Sequence, residues 1–146
     1  MSWITLTSDM LTARMNAAEL TAVSATYPSS SATLASIISG VVNEIRGYVR
    51  AGAQPMDVAG KIPAELTDAA IAIARFRVLT GLPNETLITK ARVDEKDQAF
   101  KLLDRVAEGR FGIEAPAAAI AEQVGGPSPQ VSVPDRTFKP GDQDGI

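Results

Sequence analysis

The stretch ATLASIISGVVNEIRGYVR, residues 32–50, decides the fold. Its apolar residues recur at intervals of three and four, namely Leu34, Ile37, Ile38, Val41, Val42, Ile45, Tyr48 and Val49. This spacing is typical of one face of an α-helix. The charged and amide side chains of the stretch, such as Asn43 and Glu44, fall on the other face. The pattern predicts a long amphipathic helix that packs against a core on one side.

A second long helix is predicted to begin at Pro63, a residue type that suits the first helical position. Its apolar residues, from Leu66 to Leu79, cover most of the circumference, which predicts a central, buried helix. Many of them are alanines, so neighbouring helices can approach closely. The sequence Gly81-Leu82-Pro83 ends the helix.

Two short helices are predicted near the N-terminus. Thr7 or Ser8 can cap the first, and Asn16 with Glu19 has the spacing of a capping box for the second. The sequence YPSSS, residues 27–31, then breaks the chain, because proline cannot continue a helix and serines favour turns.

The last predicted helix runs from a cap at Asn84 to about Glu108, and Gly109 ends it. Residues 52–62 form a loop between the two long helices. We therefore expect an all-α body over residues 1–109, a small bundle of two short N-terminal helices and three longer ones.

Residues 110–146 break this pattern. They hold five of the nine prolines and five of the eleven glycines, and they show no sustained hydrophobic period. Such a segment buries too little apolar surface to offset its ordering entropy alone. We expect an extended C-terminal arm that lies on another protein, either another copy of this chain or a ring to which it docks. Within it, residues 116–124 are a candidate short helix and residues 130–133 a candidate strand.

Five residues of the arm are candidate partner contacts. Val131 and Val133 alternate between prolines, as in a strand added to the edge of a neighbour's sheet. Phe138 stands close to Arg136 and Lys139, and an aromatic in a polar tail has no core of its own to join. We interpret Phe138 as an anchor for a partner.

The composition excludes several functions. The chain has no cysteine and no histidine, which removes thiol chemistry, disulfides and every catalytic site that needs histidine. No converging group of titratable residues is evident, so we expect no enzyme, no catalytic residue, no bound metal and no cofactor. No apolar run is long enough to span a membrane, and the N-terminus does not resemble a signal peptide. We expect synthesis in the cytoplasm.

The net charge is -3, and no basic block is present to neutralise phosphates. One basic strip across two helices is conceivable, formed by Arg46, Arg50, Arg75 and Arg77. The alternative is that these arginines surround the core and pair with acids such as Glu44 and Asp68. We favour the second interpretation and expect no tight binding of DNA.

The centre of the last helix is densely charged with both signs, at Arg92, Asp94, Glu95, Lys96 and Asp97. Its three acids could suggest a divalent cation, but consecutive helical positions splay by about 100°, and cations lie within ion-pairing range. We interpret the segment as a solvated face or a contact between subunits.

The order and spacing of several segments carry a family resemblance. They are WITL (3–6), RMN (14–16), AAEL (17–20), VNEIRGYV (42–49), IPAEL (62–66), AIARFRVL (72–79), LLDRVAEGR (102–110) and the basic-x-aromatic RTF (136–138). Together they resemble the phage head-tail adaptor, or connector, proteins, in particular the small family encoded with the head genes of Mu-like phages. The loop over residues 51–62 departs from that pattern, since it is poorer in aromatic and basic residues.

This resemblance implies a structural protein of the virion neck, between capsid and tail. It implies a ring of copies, itself a dodecamer, that matches a dodecameric portal protein, extends the DNA channel below the capsid and offers a platform to a tail terminator or stopper protein. Genomic DNA would pass without specific contacts. The alternatives are a small helical regulator that binds nucleic acid, which should show a basic recognition helix, and a helical enzyme that uses carboxylates.

Overall fold

The computed structural model describes residues 2–28 and 32–116. This part of the chain contains five α-helices: α1 (Ser8–Thr12), α2 (Ala17–Thr26), α3 (Ala32–Ala51), α4 (Thr67–Thr80) and α5 (Lys90–Ala107). It also contains two short strands, β1 (Trp3–Thr5) and β2 (Lys61–Pro63), and two 3-10 turns, Ala64–Leu66 and Glu85–Leu87. The predicted all-α fold is confirmed.

Helix α4 lies at the centre and contacts α1, α2, α3 and α5, and α3 and α5 also contact each other. Ala70 and Ala74 are fully buried, as the prediction of a central helix with close neighbours requires. The predicted start at Pro63 was wrong. Pro63 belongs to β2, a 3-10 turn follows it, and the α-helix begins at Thr67.

A small antiparallel sheet joins the N-terminus to the segment before α4. Trp3 pairs with Pro63, Ile4 with Ile62 and Thr5 with Lys61. The sequence did not predict these strands, because three residues are too few to show a period and the partner strand lies far along the chain. The sheet buries Trp3 and Ile62 in the core.

Helix α5 begins later than predicted. The hydroxyl of Thr89 accepts a hydrogen bond from the backbone N–H of Arg92 at 3.4 Å and caps the helix. Asn84 instead caps the 3-10 turn, where its side-chain oxygen accepts from the N–H of Thr86 at 3.1 Å. Both residue types are good N-caps, so composition alone did not distinguish the two starts. The predicted stop holds, with Gly109 at a φ of 72°.

The first residues of the predicted arm pack on the body. Ile113 and Pro116 are buried. The indole N–H of Trp3 donates to the carbonyl of Glu114 at 3.2 Å, and the N–H of Glu114 donates to the carboxylate of Glu65 at 3.2 Å. The division of the chain at residue 109 stays a prediction.

The remainder of the arm lies outside the described residues. This applies to the candidate helix beyond Pro116, to the candidate strand over residues 130–133, and to all five candidate partner contacts: Val131, Val133, Arg136, Phe138 and Lys139.

Two truncations measure what residues 110–116 contribute to the body. We expect the chain that ends at Pro116 to be more stable than the chain that ends at Gly109 by about 2 kcal/mol, because burial of a side chain such as Ile113 contributes roughly 1.5–3 kcal/mol. Urea unfolding of the two proteins, followed by circular dichroism, gives the difference directly. Equal stabilities would show that these seven residues lie on the body without stabilising it.

Candidate functional site

The described residues do not provide a metal site or a membrane span. Over residues 2–28 and 32–116, no group of three or more acidic, histidine or cysteine side chains is placed to hold a metal ion. In the same part of the chain, no helix combines the length and apolar character needed to cross a bilayer. The same residues form a buried charged network, a loop held by an arginine, and an apolar groove.

The charged network begins at the N-terminus of α2. The side chain of Asn16 accepts from the N–H of Glu19, and the N–H of Asn16 donates to Glu19 Oε2, both at 2.9 Å. This confirms the predicted capping box. Arg92 of α5 then binds both oxygens of the same carboxylate, at 2.7 Å through Nε and at 3.0 Å through Nη2. Glu19 is only 1% exposed, so this is a buried, bidentate ion pair.

The network continues across α5 to α4. Arg92 Nη1 lies 3.2 Å from both oxygens of Glu95. Glu95 in turn accepts from Arg75 of α4, whose other terminal nitrogen donates to the carbonyl of Arg14. The Nε of Arg75 is buried without a hydrogen-bond partner among the described residues. Four segments of the body are thus joined through charged side chains.

The network keeps the carboxyl group of Glu19 in its charged form. Burial opposes ionisation of Glu19, but hydrogen bonds from Arg92 and from the Asn16 N–H, with the charges of Arg92 and Arg75, outweigh it and lower the pKa of Glu19. The hydrogen bond to Glu19 is the main cause of a raised pKa at Arg92. Both groups are therefore charged at neutral pH.

The five candidate subunit contacts lie in different environments in the structure. Arg92 and Glu95 belong to the network, so Arg92 does not lie on a solvated face. Lys96 lies over the ring of Phe76, 4.6 Å from its centroid, and 3.2 Å from Asp97. Asp94 and Asp97 are exposed. A role of these residues at a subunit contact stays a prediction.

The arginines considered as a basic strip are mostly engaged within the body. Arg77 pairs with Glu44 of α3, as expected. Asp68 pairs at 3.0 Å with Arg14, not with an arginine of its own helix. Arg75 pairs with Glu95 instead, an acid that the sequence interpretation did not connect to it.

Arg46 fixes the loop between α3 and β2. Its guanidinium donates to the carbonyls of Asp57, Val58 and Lys61 at 2.8, 2.9 and 2.7 Å, and lies 5.8 Å from the ring centroid of Trp3. Val58 is 60% exposed at the tip of this loop. Nothing in the spacing of the sequence indicated this role, since the accepting groups are backbone carbonyls.

An apolar groove of about 330 Å³ lies along α3, and we call it the α3 groove. Its buried apolar lining consists of Leu6, Leu34, Ile38 and Val42. Its more exposed lining consists of Ser8, Ala35, Ser39, Asn43 and Gly60. The apolar period of α3 predicts burial of Leu34, Ile38 and Val42, which is confirmed, but it does not predict a groove beside them.

Comparison with known proteins matches the chain to a protein family. The family described as "Bacteriophage Mu, Gp36" matches residues 6–129. The match includes all five helices and continues past Pro116 into the predicted arm. No significant match is found among curated proteins or among solved structures.

Replacement of Glu19 by glutamine tests the charged network. Removing one partner of a buried ion pair leaves the other charge uncompensated, which costs about 3–5 kcal/mol in fully buried cases. Arg92 keeps Glu95 as a partner, so we expect a loss of about 2 kcal/mol at pH 7. The exposed Asp94→Asn is the matched control and should change stability by less than about 0.5 kcal/mol.

The difference between the parent and Glu19→Gln should depend on pH. A carboxyl whose folded pKa is depressed contributes stability above its unfolded pKa, near 4.5, and that stability is lost as the pH falls through the folded value. Urea unfolding at a series of pH values should show the gap constant near neutrality and shrinking below about pH 4.5. A gap that persists unchanged in acid would mean that the ionised carboxylate does not carry the effect.

Proposed function

Because the chain belongs to the bacteriophage Mu Gp36 family, we propose that it is a head-tail adaptor, a structural component of the virion neck. The observation that supports this proposal is the length of the match, which extends from residue 6 through the whole helical body to residue 129. The protein forms a ring beneath the portal, extends the DNA channel and offers a platform to a tail terminator or stopper protein. Neighbouring copies and the portal are its direct partners.

The body has the properties that a ring subunit needs. The body encloses an apolar core, and charged side chains from α2, α3, α4 and α5 are paired across helix contacts, so we expect it to hold its shape without a partner. The shape of each subunit then sets the geometry of the ring. The proposed channel also accords with the net charge of -3, because DNA slides past a surface that does not neutralise its phosphates.

The distal arm carries the partner contacts in this proposal, through Val131, Val133, Arg136, Phe138 and Lys139. Ordering a long polar segment on a partner costs much of its contact energy, so a single arm binds weakly. A ring of portal subunits offers many sites at once, and each bound copy raises the effective concentration for its neighbours. We therefore expect a protein that is mainly monomeric alone and assembles on the portal.

Mass measurement with and without portal tests the adaptor function. Multi-angle light scattering should give a monomer for the purified chain and a defined ring complex when portal rings are added. Electron microscopy of the complex should show added density on the side of the portal that faces the tail. A stable twofold dimer that ignores the portal would overturn the proposal.

The variant Phe138→Ala tests in the same experiment whether Phe138 is the anchor, and the neighbouring Thr137→Ala is its control. Truncating a buried aromatic anchor commonly costs about 2–4 kcal/mol of binding free energy. The variant should weaken portal binding by about 30-fold or more per subunit, which would prevent ring assembly. Thr137→Ala should assemble like the parent. If both variants assemble normally, Phe138 is not the anchor.

The alternative of a nucleic-acid-binding regulator makes the opposite prediction for DNA. Three of the four arginines in the proposed strip have intramolecular partners, namely Arg46, Arg75 and Arg77, which leaves Arg50 as the exposed member. We expect no shift of duplex DNA in a gel at about 150 mM salt. Micromolar binding that weakens with added salt would favour the regulator over the adaptor.

A further inference from the structure

The α3 groove presents apolar surface that the described body does not cover. Leu6, Ile38 and Val42 are buried in the body, yet the groove exposes what remains of their surface along one side of α3. Its volume of about 330 Å³ falls within the range of pockets that accept side chains or small ligands, roughly 300–1,000 Å³. Ala35 and Ser39 on the rim of the groove have small side chains, so a helix or an extended segment can come close to α3.

The last described residues contact the N-terminal strand that leads to the groove. The carbonyl of Glu114 accepts from Trp3, and Pro116 is buried on the body. Trp3 begins β1, and Leu6, three residues further along, lines the groove. Three residues of extended chain span about 10 Å, so the exit point of the arm lies within a few residues' reach of the groove.

The sequence that follows Pro116 has the chemistry to cover the groove. Residues 117–124 read AAAIAEQV, with four alanines and the apolar side chains Ile120 and Val124. Ile120 and Val124 are four residues apart, so they share one face if the predicted helix forms. Alanines around them permit close contact with the small residues of α3.

We propose that residues 117–124 of the same chain occupy the α3 groove, with Ile120 and Val124 against its apolar lining. The arm then leaves the body after this segment, and only the residues after about 125 extend to a partner. This assignment concerns the single chain and does not depend on the portal or on ring formation. It adds a contact within the chain to the partner contacts of the distal arm.

Disulfide trapping tests this assignment, because the chain contains no cysteine and two introduced thiols are the only ones present. Ser39→Cys on the groove rim is combined in turn with cysteine at one of four arm alanines: Ala117, Ala118, Ala119 or Ala121. A disulfide needs a Cα separation of about 4.4–6.8 Å, so at least one pair should oxidise within the monomer. The control replaces Ser39→Cys with Ala91→Cys, an exposed position on α5 outside the groove.

The best groove pair should oxidise about tenfold faster than its control pair, because occupancy of the groove raises the local thiol concentration beyond that of a free tether. Adding Ile120→Asp to that pair should reduce the rate to the control value, since a carboxylate is costly in an apolar groove. Non-reducing gels and mass spectrometry report the product. Covalent dimers in place of cross-linked monomer, or rates equal to the control at all four positions, would overturn the assignment.

Discussion

The burial of α4 on nearly every side is the constraint on which the rest of the body depends. A central helix needs small side chains where its neighbours approach, and it needs partners for any charge that it carries. Arg75 and Arg77 lie on this helix, and each meets an acid from a different neighbour, Glu95 of α5 and Glu44 of α3. The pair with Glu95 thus adds a charged contact between α4 and α5 to the apolar packing, and the more exposed pair with Glu44 adds a weaker one between α4 and α3.

Glu19 joins the N-terminal helices to the body by a charged contact of the same kind. Its carboxylate closes the capping box with Asn16 and also binds Arg92, so a local helix signal becomes a contact between α2 and α5. A buried ion pair adds little net stability compared with apolar residues of the same shape, but a shifted helix would leave both charges unpaired. In this body the pair therefore acts mainly to specify one arrangement of α2 against α5.

Local spacing predicted those parts of the fold that local interactions determine. The stripe over residues 32–50 gave the bounds of α3 to within one residue. The start of α5 was missed because Asn84 and Thr89 are both capping residues, and only tertiary packing distinguishes them. The pairing of Trp3 with Pro63 joins positions sixty residues apart, and no periodicity within either strand reveals it.

The candidate site, too, could be predicted from the sequence only in part. The charged segment of α5 was found from its composition, but the interior position of Arg92 depends on a carboxylate 73 residues away. The groove could not be predicted from the sequence, because Ile38 and Val42 belong to the same apolar stripe whether they face the core or a groove beside it. A hydrophobic period identifies which face of a helix avoids water, and it does not identify what covers that face. In this chain the buried Glu19 finds its partner Arg92 within the body, whereas the described residues leave the groove along α3 open to a further segment.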